Sequence, residues 1–177
     1  MKTLIILTLN FIFFTIANSQ LTINFDGKKI LYSSPDSSSW KLIKEVNPSV
    51  GLKGVRMFKH RIMVDSRGRF IEPIIGLLFE KVLDSIDVIE YSIGVLGIKP
   101  YTIEKELLGG YPDYSSDKHS VVFRGKYVNL GVHHDVLLCY IFHNNVGIEI
   151  IADATDEVFG RVESEMKAFI KSVNIKE

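Results

Sequence analysis

The sequence contains a single cysteine, Cys139, so no disulfide can form within the chain. Domains that cannot build a sufficient core depend on disulfides, and this 177-residue chain must instead depend on hydrophobic packing. Its composition allows this, since 46% of the residues are hydrophobic and 24% are charged. The apolar neighbours of Cys139 predict a buried strand and an inert thiol, whereas pairing between chains or nucleophilic catalysis would need a partly exposed, electropositive site.

An excess of one charge is also missing. Lys and Arg together number 21, Asp and Glu together number 21, and the formal charge is zero. Proteins that bind nucleic acid or an anionic membrane over a wide surface usually carry a clear basic excess. We therefore expect no nucleic-acid partner.

The apolar stretch over residues 4–17 is too short to span a bilayer, because a spanning helix needs about 20 residues. With Lys2 before it and small residues after it, the stretch is typical of a cleaved secretion signal. The sequence predicts a leader over 1–19 that is cut between Ser19 and Gln20; the alternative is a membrane anchor. A cleaved leader predicts a periplasmic or secreted protein without stable membrane insertion.

Short motifs that mark catalytic sites are missing as well. The sequence has no Gly-x-Ser-x-Gly turn of a serine hydrolase, no catalytic Cys-His signature and no phosphate-binding glycine loop. Ser66 and Ser120 fit a turn and a strand instead. Because triads assemble from distant positions, a hydrolase or metal-dependent enzyme stays open as the third functional hypothesis. No catalytic, metal or cofactor-binding residue is assigned, and we expect no cofactor.

Alternating apolar and polar residues predict strands through much of the region 20–177, which is expected to form one domain. Asp26-Gly27 predicts the tight turn of an N-terminal hairpin. The apolar stretch 70–82 predicts a central strand with both faces covered, and Pro73 at its start or at a bulge. The predicted strands include 21–25, 29–33, 70–82, 101–107, 120–130, 135–142 and 147–152.

Two helices are expected. Asp87 can cap the first, with Glu90 three residues later as its capping-box partner. The second is a long C-terminal helix with acidic residues at its start and Lys171 near its end. Its apolar stripe, expected to be core rather than a partner-binding face, is Val158, Phe159, Val162, Met166, Phe169, Ile170 and Val173. Strands and helices together predict an α+β fold, a twisted antiparallel β-sheet flanked by helices.

Several histidines lie near a carboxylate in the sequence. His133, His134 and Asp135 are adjacent, and His143 follows ten residues after His133. Imidazole and carboxylate groups are good zinc ligands. In an extended strand, however, successive side chains alternate between faces, and ten residues span about 33 Å. The sequence therefore favours polar loop residues over a metal site.

The segment Lys53–Arg69 is strongly basic. It contains Lys53, Arg56, Lys59, Arg61, Arg67 and Arg69, opposed by Asp65 alone. Arginine presents a planar fork of donors, so the segment could recognise an acidic partner, a carboxylate or a phosphate. The favoured interpretation is an exposed strand edge that these charges protect against aggregation.

The order of these elements resembles the PsbP-like superfamily. The resemblance depends on the N-terminal hairpin, the central meander and the run 147–153 (GIEIIAD) that leads into the C-terminal helix. The stretches 61–73 and 87–92 also look like parts of small exported bacterial proteins. The resemblance implies an α/β/α sandwich and an accessory or binding role, and it transfers no catalytic residue.

The first functional hypothesis is an exported, non-catalytic accessory domain that acts through contacts with another protein. The second is a binding module for a small apolar or lipid-like ligand between sheet and helix. A closed apolar cavity above about 300 Å³ would support the second hypothesis, and a filled core between sheet and helices would count against it. The aromatic residues that could line such a cavity are Trp40, Phe79, Phe123 or Tyr127.

Overall fold

The structure, a computed structural model, describes residues 20–47, 53–82, 86–108 and 114–176. The leader predicted over 1–19 lies outside the described residues. Strands β1 to β7 are Gln20–Phe25, Lys28–Ser33, Trp40–Val46, Lys53–His60, Met63–Val64, Phe70–Ile71 and Ile74–Lys81. They are followed by α1 (Val88–Leu96), β8 (Thr102–Leu108), β9 (Ser120–Asn129), β10 (Val132–His143), β11 (Val146–Thr155), α2 (Asp156–Ser172) and β12 (Asn174–Lys176).

The main sheet is antiparallel and has seven strands in the order β3-β4-β7-β11-β10-β9-β8. Strands β1, β2 and β12 form a second, small sheet, and β5 pairs with β6. The predicted α+β class is confirmed. β7 is central, between β4 and β11, as the apolar stretch 70–82 predicts. Only one of its faces is fully covered, because Leu78 and Glu80 on the other face are half-buried. Pro73, which has no amide hydrogen for a ladder, separates β6 from β7.

Helix α2 and the small sheet cover one face of the main sheet. The buried stripe of α2 consists of Val158, Phe159, Val162, Met166, Phe169 and Ile170. Aromatic rings join the layers: Phe25 meets Phe79 edge to face with centroids 5.1 Å apart, and Tyr32 meets Phe169 at 6.2 Å. The expectation that the C-terminal helix supplies core is therefore confirmed.

Helix α1 covers part of the opposite face. The carboxylate of Asp87 accepts hydrogen bonds from the amides of Ile89 and Glu90, and Glu90 accepts one from the Asp87 amide, so the predicted capping box is confirmed. The helix packs on β9 and β10. A helix is about 10 Å wide and strands are about 4.8 Å apart, so one helix covers about two strands. Because α1 lies on β9 and β10, it does not cover β4 and β7 on this face. Neither helix of the described residues is long and apolar enough to cross a membrane.

The turn between β9 and β10 places Leu130 in a backbone conformation that is unfavourable for leucine. Leu130 and Gly131 both have positive φ, +49° and +78°, as in a type I′ hairpin turn. The neighbouring hairpins place Asp26-Gly27 and Asn144-Asn145 in this conformation, which suits Asp, Asn and Gly but strains Leu. Leu130 is 97% exposed, so its side chain gains little from packing.

We expect Leu130→Asn to raise the free energy of unfolding by about 1 kcal/mol, because asparagine tolerates the left-handed conformation. The midpoint of urea unfolding, at unchanged slope, measures this gain. Leu130→Ala is the control, since alanine removes the exposed side chain and keeps the strain. An equal gain in both variants would show that strain at Leu130 is not the cause.

Candidate functional site

Three carboxylates lie in a row on the α1 side of the main sheet, and we call Glu80, Glu149 and Asp153 the carboxylate row. Strand pairing explains the arrangement. Glu80 of β7 is opposite Gly147 of β11, and Glu149 and Asp153 follow Gly147 at even spacings. Residues at even spacings on a strand point to the same face, so all three side chains point toward the α1 side.

Each carboxylate of the row contacts one tyrosine and one basic side chain. The tyrosine hydroxyls donate as follows: Tyr91 to Glu80 at 3.2 Å, Tyr140 to Glu149 at 3.0 Å, and Tyr127 to Asp153. The basic neighbours are Lys53, 2.6 Å from Glu80, Lys99, 3.4 Å from Glu149, and His134, 2.8 Å from Asp153. Each carboxylate of the row therefore has its hydrogen-bonding and charged partners within the protein.

The tyrosines of the row act as neutral donors. Burial raises the pKa of Tyr91, Tyr127 and Tyr140 above the usual range, and the carboxylate that each one contacts raises it further. Burial and then the charge of Asp153 raise the pKa of Tyr101, which packs on Tyr127, to about 12. None of these four hydroxyls can serve as a base near neutral pH.

A cavity of about 260 Å³, which we call the α1 cavity, lies between α1 and the β4–β7 part of the sheet. Its apolar wall consists of Val55, Leu78, Val95 and Ile98, and its polar end contains Glu80, Glu149, Lys53 and Lys99. Gly94 of α1 borders it, and a Cβ at this position would meet open space. The volume is slightly below the roughly 300 Å³ expected of a ligand pocket, so that criterion is not met and only a small ligand would fit.

The four aromatic residues offered as cavity lining lie apart: Phe79 borders the α1 cavity and Trp40 borders another hollow of about 380 Å³, whereas Phe123 and Tyr127 border neither. Trp40 and Phe79 pack in the α2-side core, where Trp40 Nε1 donates to Glu165 Oε2 at 2.6 Å. Phe123 packs beneath α1, and Tyr127 belongs to the carboxylate row. The sequence shows which strands carry these rings but not which face each ring shares.

His133 and His134 lie within β10, not in the predicted loop, because the β9–β10 turn needs only two residues. His134 contacts Asp153 on the α1 side and His133 is exposed, so their predicted divergence is confirmed. His143 is at the other end of β10 and stacks on His119, with ring centroids 4.8 Å apart. Among the described residues, no group of three His, Cys, Asp or Glu could hold a metal ion.

A second, more polar hollow of about 460 Å³ borders His119 and His143. The two residues are 24 positions apart in the sequence, and only the antiparallel pairing of β9 and β10 brings them together. Asp117 also borders the hollow, and it accepts a hydrogen bond from the His119 amide at 2.8 Å. The Ser120 hydroxyl donates to the Asp117 carbonyl at 2.6 Å. These contacts shape the turn before β9 and favour a structural role.

Much of the Lys53–Arg69 charge is neutralised inside the protein. Arg56 is 5% exposed and lies 2.9 Å from Glu45, and Arg69 lies 2.5 Å from Asp65. β4, which carries the first half of the segment, lies between β3 and β7. The interpretation as a protected strand edge is therefore wrong for β4. Recognition of an acidic partner stays a prediction.

Cys139 is fully buried on β10, as predicted, and burial raises the pKa of its thiol to about 12. We expect the folded chain to remain unreactive toward a disulfide-exchange reagent near pH 8, because the thiolate is the reacting species. Absorbance of the released thiol measures the reaction, and the unfolded chain in denaturant is the control. Equal rates in the two states would contradict this placement of Cys139.

The similarity between this chain and known proteins is a similarity of fold. No protein-family model matches the chain, and no curated protein sequence matches it significantly. Among solved structures, it is similar to LpqN of Mycobacterium tuberculosis, described as involved in cell envelope biogenesis. The identity is 14%, the match covers 90% of this chain and 91% of LpqN, and the TM-score is 0.57. At this identity, the chain and LpqN share a fold, and function must be argued from the site.

Proposed function

We propose that this chain is an exported, non-catalytic accessory domain of the cell envelope that works by binding. The predicted leader and the PsbP-like order of elements support export and an accessory role. The fold shared with LpqN, a protein involved in cell envelope biogenesis, is consistent with that compartment. The carboxylate row is consistent with a non-catalytic role, because each of its carboxylates accepts a hydrogen bond from a tyrosine hydroxyl.

The observation that carries this function is the α1 cavity. Ligand sites are concave and mostly apolar, with a few polar groups that orient the ligand. The cavity has this composition, with Val55, Leu78 and Val95 along its wall and the buried Glu149 at its polar end. The ligand we propose is therefore a small molecule with an apolar part, bound between α1 and the sheet.

Gly94→Leu tests this function, because a leucine side chain at this position would occupy the cavity. We expect the affinity for a neutral apolar dye such as N-phenyl-1-naphthylamine to fall at least about tenfold, measured by fluorescence titration. The fold should not suffer, since glycine inside a helix is less favourable than most residues by up to about 1 kcal/mol.

Gly160→Leu is the matched control. Gly160 also lies in a helix, α2, and a Cβ there also meets open space, but it is on the other side of the sheet. We expect this variant to bind the dye like the original chain. Equal dye binding by Gly94→Leu and Gly160→Leu would refute the cavity as the binding site.

Contact with another protein is the second candidate function, and the 61–71 hairpin favours it. Its apolar side chains Ile62, Val64 and Phe70 are 59%, 49% and 77% exposed. Such clusters of exposed apolar residues mark interaction sites. A photo-crosslinking residue at position 70 in the native host should give an adduct of one defined mass, and the same residue at the exposed position 164 of α2 should not.

A further inference from the structure

The polar end of the α1 cavity contains two carboxylates, Glu80 and Glu149, and two lysines, Lys53 and Lys99. Glu149 is 5% exposed and accepts the Tyr140 hydroxyl at 3.0 Å. Glu80 accepts the hydroxyl of Tyr91, itself 5% exposed, at 3.2 Å. These tyrosines are neutral donors, so they orient the carboxylates without balancing their charge. An ammonium group close to both carboxylates would balance it.

Two lysines supply positive charge at this place, and the side chains of Lys53 and Lys99 are 75% and 25% exposed. Lys53 Nζ lies 2.6 Å from Glu80, but its side chain is 75% exposed, and ion pairs this exposed contribute only about 0–1 kcal/mol. Lys99 Nζ lies 3.4 Å from Glu149, beyond the usual range of about 2.7–3.2 Å for such a bond. A competing ammonium group can therefore replace Lys53 at little cost and can compete with Lys99 for its longer contact with Glu149.

Apolar surface begins next to these carboxylates. Val55 and Leu78 approach from the sheet and Val95 from α1, and Ile98 at the rim is 83% exposed. A bound apolar body would cover Ile98, which is favourable by roughly 25 cal/mol for each Å² removed from water. A ligand with a negative head group would instead have to draw Lys53 and Lys99 away from Glu80 and Glu149, and the carboxylates left unpaired would repel it.

We infer that the α1 cavity binds a small primary amine with an apolar body, whose ammonium group contacts Glu149 and Glu80 in place of Lys99 and Lys53. The inference rests on the proposed ligand-binding function and adds the chemical class of the ligand. The two lysines occupy the amine position when the ligand is absent and compete with it when the ligand is present.

Calorimetric titration with hexylamine, hexanol and hexanoate tests the inference, because these probes share one apolar chain and differ in charge. We expect hexylamine to bind at least about tenfold more tightly than the other two. Glu149→Gln, which still accepts the Tyr140 hydroxyl, should reduce hexylamine affinity about tenfold and leave hexanol affinity unchanged. Glu106→Gln, at an exposed position of β8, is the matched control and should change neither affinity.

Lys99→Met distinguishes the amine from an anionic ligand. It removes a competitor for Glu149, so hexylamine affinity should rise, whereas an anion that depends on Lys99 would bind less tightly. Thermal unfolding of every variant shows whether it folds. If Lys99→Met does not fold, Glu149→Gln alone still tests the amine inference. Equal binding of the three probes, or a preference for hexanoate, would overturn the amine inference while the cavity function stands. If neither the three probes nor the neutral dye binds, the amine inference and the cavity function are both overturned.

Discussion

Phe159→Ala should lower the free energy of unfolding by about 3–5 kcal/mol, the usual cost of removing a buried aromatic ring. The Phe159 side chain of α2 is fully buried in the core between the helix and the main sheet. The guanidinium of Arg124 also lies over its ring, 5.1 Å from the centroid, and this contact would be lost. Single domains have only about 5–15 kcal/mol of stability, so the loss is a large fraction of the total.

The melting temperature measures this loss and should fall by roughly 6–20 °C. Ser164→Ala, at an exposed position of the same helix, should change it little. If Phe159→Ala does not fold, Phe159→Leu keeps part of the apolar area and should give a smaller decrease in the same direction. Phe159 is on the α2 side, so dye binding in the α1 cavity of either folded variant should be unchanged. A melting temperature equal to that of Ser164→Ala would show that α2 does not pack on the sheet through this residue.

The stripe of α2 could be predicted because helical periodicity is local. Val158, Val162 and Met166 recur at four-residue intervals, and a helix places such residues on one face whatever lies opposite. The capping box of Asp87 and Glu90 and the Asp26-Gly27 turn are local for the same reason. Each depends on residues at most four positions apart along the chain.

The carboxylate row could not be predicted, because it depends on the register between distant strands. Glu80 and Glu149 are neighbours only because Glu80 pairs with Gly147 across β7 and β11. A shift of this pairing by one residue would turn one set of side chains to the other face. Composition and periodicity do not show which residues of two distant strands pair. The available signal was the alternation of Glu149 and Asp153 with apolar residues in an otherwise buried strand.

The histidines show a related limit. Alternation along an extended strand was sufficient to predict that His133 and His134 diverge. It was not sufficient to find the contact between His119 and His143, which needs the pairing of β9 with β10. The loop predicted for His133 and His134 was too long, because Leu130-Gly131 closes the hairpin despite the poor fit of leucine to positive φ.

Gly147→Ala should lower the free energy of unfolding by about 1–3 kcal/mol, because a methyl group at this position overpacks the contact between β11 and α1. A Cβ on Gly147 would lie 2.5 Å from Cζ of Tyr91 and 2.7 Å from its hydroxyl oxygen. The ring cannot easily move away, since it packs against Tyr140 and Phe142 with centroids 6.1 and 5.6 Å apart. Movement of the ring would also weaken the hydrogen bond from Tyr91 to Glu80.

A double-mutant cycle with Tyr91→Ala isolates this contact, with urea unfolding as the measurement. In the Tyr91→Ala background the clash is gone, so adding Gly147→Ala should cost nothing or even stabilise the strand. Gly76→Ala on the adjacent strand β7 is the matched control, because a Cβ there makes only ordinary contacts at 3.6 and 4.0 Å. Equal effects of Gly147→Ala with and without Tyr91 would mean that the ring of Tyr91 does not lie on Gly147, and the polar end of the α1 cavity would then be arranged differently.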